Sequence, residues 1–126
     1  MSKQILMVAS ILLALAVAIG AFGAHGLKAR LSAEMIMIYK TGVEYHFYHA
    51  IGLLLIGVLS VSYPSVLLNW SAILLVTGIF LFSGSLYVLA ISGMKWLGAI
   101  TPLGGLSFIA GWVLLFVAVW KKIPLR

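Results

Sequence analysis

The chain contains no cysteine, which excludes disulfides, thiolate metal sites and cysteine nucleophiles. Acid is almost as scarce: of 126 residues only 2 are acidic, Glu34 and Glu44, so the paired carboxylates of general acid–base chemistry have little to draw on. Charged residues reach only 8%, where soluble proteins carry roughly a quarter. In their place stand 64% hydrophobic residues and a mean hydropathy of +1.24, which is the composition of a chain dissolved in lipid. The net charge of +6 does not point to nucleic acid here. Its basic residues flank apolar runs, where they orient helices and meet anionic headgroups.

The few charges are spaced in a telling way. Between Lys3 and Lys28 lie 24 uncharged residues, between Glu44 and Lys95 there are 50, and between Lys95 and Lys121 there are 25. A helix needs roughly 20 residues to cross a hydrocarbon core of about 30 Å. The outer gaps therefore hold one crossing each and the middle gap holds two. This predicts an all-α membrane protein, an up-down bundle of four transmembrane helices in a single domain spanning 1–126. The spans fall at about 4–22, 43–61, 70–91 and 101–120.

Local signals refine the boundaries. Three glycines in Gly20-Ala-Phe-Gly-Ala-His-Gly26 predict a turn after the first span. Ser32 is a good N-cap, with Glu34 at the positive end of the helix dipole. From there a short amphipathic helix over about 33–41 is expected to lie in the interface, running into the second span or bending at Gly42. Pro64 breaks the chain after the second span. Ser92-Gly93-Met94-Lys95 turns it again, and Thr101-Pro102 reads as an N-cap followed by proline at the first helical position. Small residues repeat along the first span in two stripes, Ser10, Ala14 and Ala18, and Ala16, Gly20 and Ala24, and such stripes allow close helix contact in lipid. The apolar run from Ile5 to Ala24 exceeds the length of a signal-peptide core, so the first helix is read as retained.

Orientation is balanced. Lys3, Lys121, Lys122 and Arg126 lie on the terminal side, and Lys28, Arg30, Lys40 and Lys95 on the other, four against four. The cluster after the last span tilts the reading toward cytoplasmic termini in a bacterial inner membrane.

Concentrated polar chemistry occurs once, in Thr41-Gly-Val-Glu44-Tyr45-His46-Phe-Tyr48-His49. At 100° per residue, Glu44, Tyr45, Tyr48 and His49 share an arc of about 140° with Thr41, Glu34 and Gly52. Ionisable groups at membrane depth normally face a bundle interior or a wet cavity. The same residues also suit plain anchoring, with Glu44 paired to Arg30 or Lys40, tyrosines at headgroup level and His49 bonding between helices. His25, His46, His49 and Glu44 do not show a diagnostic metal spacing, so no metal and no cofactor is expected. The serines of Phe82-Ser-Gly-Ser85 have no acid near them in sequence, and Gly104-Gly105 lacks the lysine of a phosphate loop. Packing explains those glycines better, with Ser107 and Gly111 completing a small-residue step.

Taken in order, Gly20-Ala-Phe-Gly-Ala-His-Gly-Leu27, Thr41-Gly-x-Glu-Tyr-His46 with His49-Ala50, Phe82-Ser-Gly-Ser-Leu-Tyr87, Thr101-Pro-Leu-Gly-Gly105 and Ala110-Gly-Trp112 cover nearly the whole chain. This pattern resembles the YgdD/YwdK family of small uncharacterised bacterial inner-membrane proteins, a domain-of-unknown-function family with a mitochondrial relative in animals. The resemblance implies a four-helix membrane protein without an activity to carry over. His46 stands where the family commonly has glutamine, so a role for His49 carries over and one peculiar to His46 does not. If the helices pack in chain order, His25, Glu44, Tyr45, His49, Tyr87 and Thr101 can form one polar cluster at one end of the bundle, binding a ligand or protons. Gly20, Gly23, Gly84, Pro102, Gly104 and Gly105 would then serve helix packing.

With no complete catalytic set, the expectation is a non-enzymatic membrane protein, oligomeric or accessory, that receives a lipid or a partner. The alternative is a small proton-coupled transporter or channel using Glu44 and His49, with Tyr45 and Tyr48 against a cationic substrate. A membrane enzyme acting on lipid or isoprenoid ranks third. Expected partners are the lipid bilayer and a second copy or another membrane protein, and no nucleic acid.

Overall fold

Backbone polar groups find no water in hydrocarbon, so a chain this apolar has to satisfy them internally. The computed structural model describes residues 1–122 and is helical from end to end, with no strand among the described residues. Helix α1 spans Ser2–Phe22 and continues without a break into a π turn, Gly23–Leu27. Helix α2 spans Ala33–Ser62. The next rod is composite: α3 (Val66–Gly78), a π segment (Ile79–Gly84) and α4 (Ser85–Ser92). A 3-10 turn, Lys95–Ala99, leads into α5, Thr101–Lys122. Four of these runs are long and apolar enough to cross a membrane: Ser2–Leu27, Ala33–Ser62, Val66–Ser92 and Lys95–Lys121. Arg126, part of the charge balance above, lies outside the described residues.

Several boundary signals act as the sequence suggests. The Ser32 hydroxyl accepts from the Met35 amide at 3.2 Å and opens α2. Ser65 does the same for Leu67 at the start of α3, just past Pro64. Gly93 takes φ 73° and ψ 7° to close α4, a left-handed cap that any side chain would strain. It is the one residue with positive φ among those described.

Three expectations are corrected. Gly20, Gly23 and Gly26 do not form a turn; they stay helical, and the reversal falls at Lys28–Ser32 instead. Two of them serve contact: a Cβ at Gly20 would sit 3.3 Å from Val43, and one at Gly23 would overlap the Tyr39 ring. Likewise, residues 33–41 form no separate helix but the first turns of α2. Gly42 does not bend the chain, because it is a contact point where a Cβ would come within 2.9 Å of Tyr87. Thr101 does not cap its own helix. The preceding 3-10 turn runs straight into α5, and the Thr101 hydroxyl lies 2.7 Å from Ser85 and donates to the Leu97 carbonyl at 3.4 Å.

Helix α2 is the hub. Its face Tyr39, Gly42, His46, His49, Leu53, Ile56 and Ser60 is buried, repeating every three or four residues. Helix α1 lies antiparallel on it through Ile5, Ala9, Leu12 and Ala16. The contact is pinned at both ends, by the Ser2 hydroxyl on the Ser60 carbonyl (2.8 Å) and the Tyr39 hydroxyl on the Ile19 carbonyl. The stripe Ser10, Ala14 and Ala18 faces outward. Helix α5 packs on α3 with two reciprocal bonds, Ser71 to the Gly111 carbonyl and Ser107 to the Leu74 carbonyl, both 2.7 Å. Such bonds are worth about 1 kcal/mol each in a membrane. Gly104 lets the same helix sit directly on the Phe82 backbone.

Candidate functional site

The antiparallel pairing of α2 with the composite rod brings Gly42 against Leu86 and Tyr87, and Gly52 against Leu75. His46, one turn beyond Gly42, is buried and its Nδ1 lies 2.9 Å from the Tyr87 hydroxyl. Tyr87 in turn packs against Tyr39, ring centroids 5.3 Å apart. The His46 ring also approaches the Leu12 carbonyl of α1, while its Nε2 makes no hydrogen bond. This interior polar group therefore joins three spans.

His49 points elsewhere, toward α5. Its ring stacks on Phe108 at 3.4 Å between centroids and 10° between planes. The Nδ1–H donates to the Tyr45 carbonyl at 2.7 Å, which leaves Nε2 as the acceptor of a neutral ring. Tyr45 stacks on Phe82 at 4.4 Å and faces His49 at 5.9 Å. Trp112 stands tilted beside His49. Offset aromatic contacts of this kind add about 0.5–1.5 kcal/mol per pair beyond the area they bury.

A third feature lies on the α1–α2 surface. Gly20, Gly23, Ala24, Ile36, Tyr39, Lys40, Val43 and Glu44 line a groove of about 140 Å³. The two glycines make it by lacking side chains, and Lys40 and Glu44 supply opposite charges one helical turn apart.

The single cluster expected from the sequence thus resolves into separate places. Glu44 lines the α1–α2 groove, Tyr45 and His49 face α5, and Tyr87 meets His46 in the interior. Thr101 bonds Ser85 at the joint between the composite rod and α5, and His25 is exposed in the π turn. Glu44 and His49 do not come together. Among the described residues no three His, Cys, Asp or Glu side chains gather. Gly84 and Gly105 are not close-approach positions, since an added Cβ would meet nothing nearer than 3.9 Å, and Pro102 is exposed. His46, set aside above, is instead the most buried histidine at the bundle centre. The hint to it was the spacing Tyr39, Gly42, His46, Ala50, Gly57 and Ser60, which sets small and polar residues along one helical face.

Four apolar spans around a nearly dry interior define a small integral membrane protein. The family model described as "Protein of unknown function (DUF423)" matches residues 19–105, and the chain belongs to this family. A UPF0382 membrane protein of Staphylococcus haemolyticus is 48% identical over 107 residues, covering 85% of this chain and 87% of its own. One from Staphylococcus epidermidis is 49% identical over 107 residues, covering 85% and 87%. The UPF0382 membrane protein YwdK of Bacillus subtilis is 44% identical over 108 residues, covering 85% and 88%. No solved structure matches the chain.

Proposed function

We propose that this integral membrane protein is a non-enzymatic lipid-binding protein of the bacterial plasma membrane, both termini cytoplasmic, whose α1–α2 groove receives a zwitterionic phospholipid headgroup. The observation that carries this reading is the groove itself, with Lys40 and Glu44 on its rim and glycine floor positions at Gly20 and Gly23. Residues four apart on a helix are neighbours, roughly 5–6 Å between Cβ atoms. That spacing suits a phosphate beside Lys40 and an ammonium beside Glu44. Depth agrees as well. The roughly 20 residues that cross the hydrocarbon, counted back from the Pro64 break, end near Thr41, so Lys40 and Glu44 fall at headgroup level. Tyr39 and Val43 close the apolar side, where acyl chains would begin.

Native mass spectrometry of the protein released from nanodiscs tests it. Phosphatidylethanolamine is expected to be retained over phosphatidylglycerol. Glu44→Gln should reduce that preference a few-fold, the equivalent of about 1 kcal/mol for a partly exposed ion contact. Equal retention of both lipids by the wild type would overturn the reading.

A further inference from the structure

The interior of the bundle holds two polar atoms with no partner, and they belong to different spans. One is His46 Nε2 and the other is Ser83 Oγ, on residues that are 2% and 0% exposed. The other buried serines are all satisfied: Ser60 by the Ile56 carbonyl, Ser71 by Gly111, and Ser85 by Phe82 and Thr101. Ser83 differs because it sits in the π segment Ile79–Gly84. The widened π turn displaces the carbonyl four residues back, which in an α-helix takes a serine hydroxyl. Its proton is therefore left to point away from its own helix.

Register brings the two orphans to one level. Gly42 meets Leu86 and Tyr87 across the antiparallel pair. One turn onward along α2 is His46, and one turn back along the rod is Ser83. Tyr87, four residues after Ser83 on nearly the same face, already bonds the His46 ring at Nδ1. The Leu12 carbonyl of α1 borders the ring from the third side. Burying an unpaired hydroxyl or imidazole nitrogen costs several kcal/mol in hydrocarbon, so both atoms call for a partner.

We propose that His46 Nε2 and Ser83 Oγ bind a single water molecule at the junction of α1, α2 and the composite rod. Water suits the site because it both donates and accepts. It therefore satisfies Nε2 in either neutral tautomer while Tyr87 serves Nδ1 in the complementary sense. With Leu12 as a third partner, it reaches the roughly three hydrogen bonds usual for a buried water. The site turns a contact between two spans into a hydrated joint among three.

Water-edited solid-state NMR on protein with ¹⁵N-labelled histidine, in liposomes, tests this directly. His46→Gln assigns the ring signals by deleting them. In the wild type, magnetisation is expected to pass from water to the His46 ring nitrogens. Ser83→Val, which replaces the hydroxyl with apolar bulk, should abolish that transfer while the His49 signals stay in place. Should Ser83→Val fail to insert, Ser83→Ala serves, with transfer to His46 weakened. A wild-type spectrum with no transfer to His46 would mean that the imidazole and the hydroxyl bond each other directly, and it would overturn the proposal. Transfer unchanged by both Ser83 substitutions would do so as well.

Discussion

At Gly104 an added methyl group would land on the Phe82 amide and within 2.8 Å of the Leu81 carbonyl carbon, backbone atoms that cannot rotate away. The neighbouring Gly105 has 3.9 Å to spare. Gly104→Ala is therefore expected to cost about 1–3 kcal/mol through overpacking, and Gly105→Ala to stay within about 0.5 kcal/mol of the wild type. Unfolding in mixed detergent micelles compares them. A larger loss at Gly105 would show that α5 is rotated about its axis from the position described. The sequence offers this pair as equals, and only the contact separates them. His46 and His49 pose the same problem. In water the apolar face of a helix marks the inside, whereas lipid tails are as apolar as a protein core, so both faces of α2 look alike from composition.

Among the elements, the π segment Ile79–Gly84 has the clearest consequence, because it sets the phase of everything after it. Phe80 within it is exposed. Deleting Phe80 would restore an α-helical register and turn Ser85, Tyr87 and Ala90 by about 100° relative to α3. Tyr87 would then leave His46, and Ser85 would leave Thr101. The deletion should unfold at a clearly lower temperature than Phe80→Ala, which removes the same side chain and keeps the phase. Equal melting would mean that the phase is immaterial. No sequence signal announced this segment, since a π turn depends on packing around it more than on any residue type. The spans themselves were legible because a charge in hydrocarbon is costly wherever it sits, so the uncharged gaps had to be crossings. The glycines near residue 23 misled for a related reason: in lipid a glycine marks close contact as often as a turn, and Tyr39 is what approaches there.

For the molecule as a whole, four crossings put both ends on one side of the membrane and the two outer turns on the other. The cysteine-free chain permits a clean check. Single cysteines replacing Lys3 and Lys121 should react with a membrane-impermeant maleimide from the same side, and cysteines replacing Arg30 and Lys95 from the opposite side. Mixed accessibility at the two ends would remove one crossing. The same labelling settles which side is cytoplasmic, a point on which the basic residues balance. The outer helices also differ from the inner ones in burial. The windows of α1 and α5 are each 22% buried, against 44% for α2 and 39% for the composite rod, so α1 and α5 present most of their surface to the surrounding lipid.

Helix α2 has 30 residues, about 45 Å of helix, for a hydrocarbon layer of about 30 Å. Pro64 fixes where it ends, so the excess gathers at the start, around Tyr39, Lys40 and Glu44. Mismatch between a helix and its bilayer is relieved by tilting or by thinning and thickening the lipid, at fractions of a kcal/mol per Å. A thicker membrane would draw Lys40 and Glu44 toward the acyl chains, and a thinner one would lift them into water. The molecule is in this respect a gauge, whose charged end registers the thickness of the membrane that holds it.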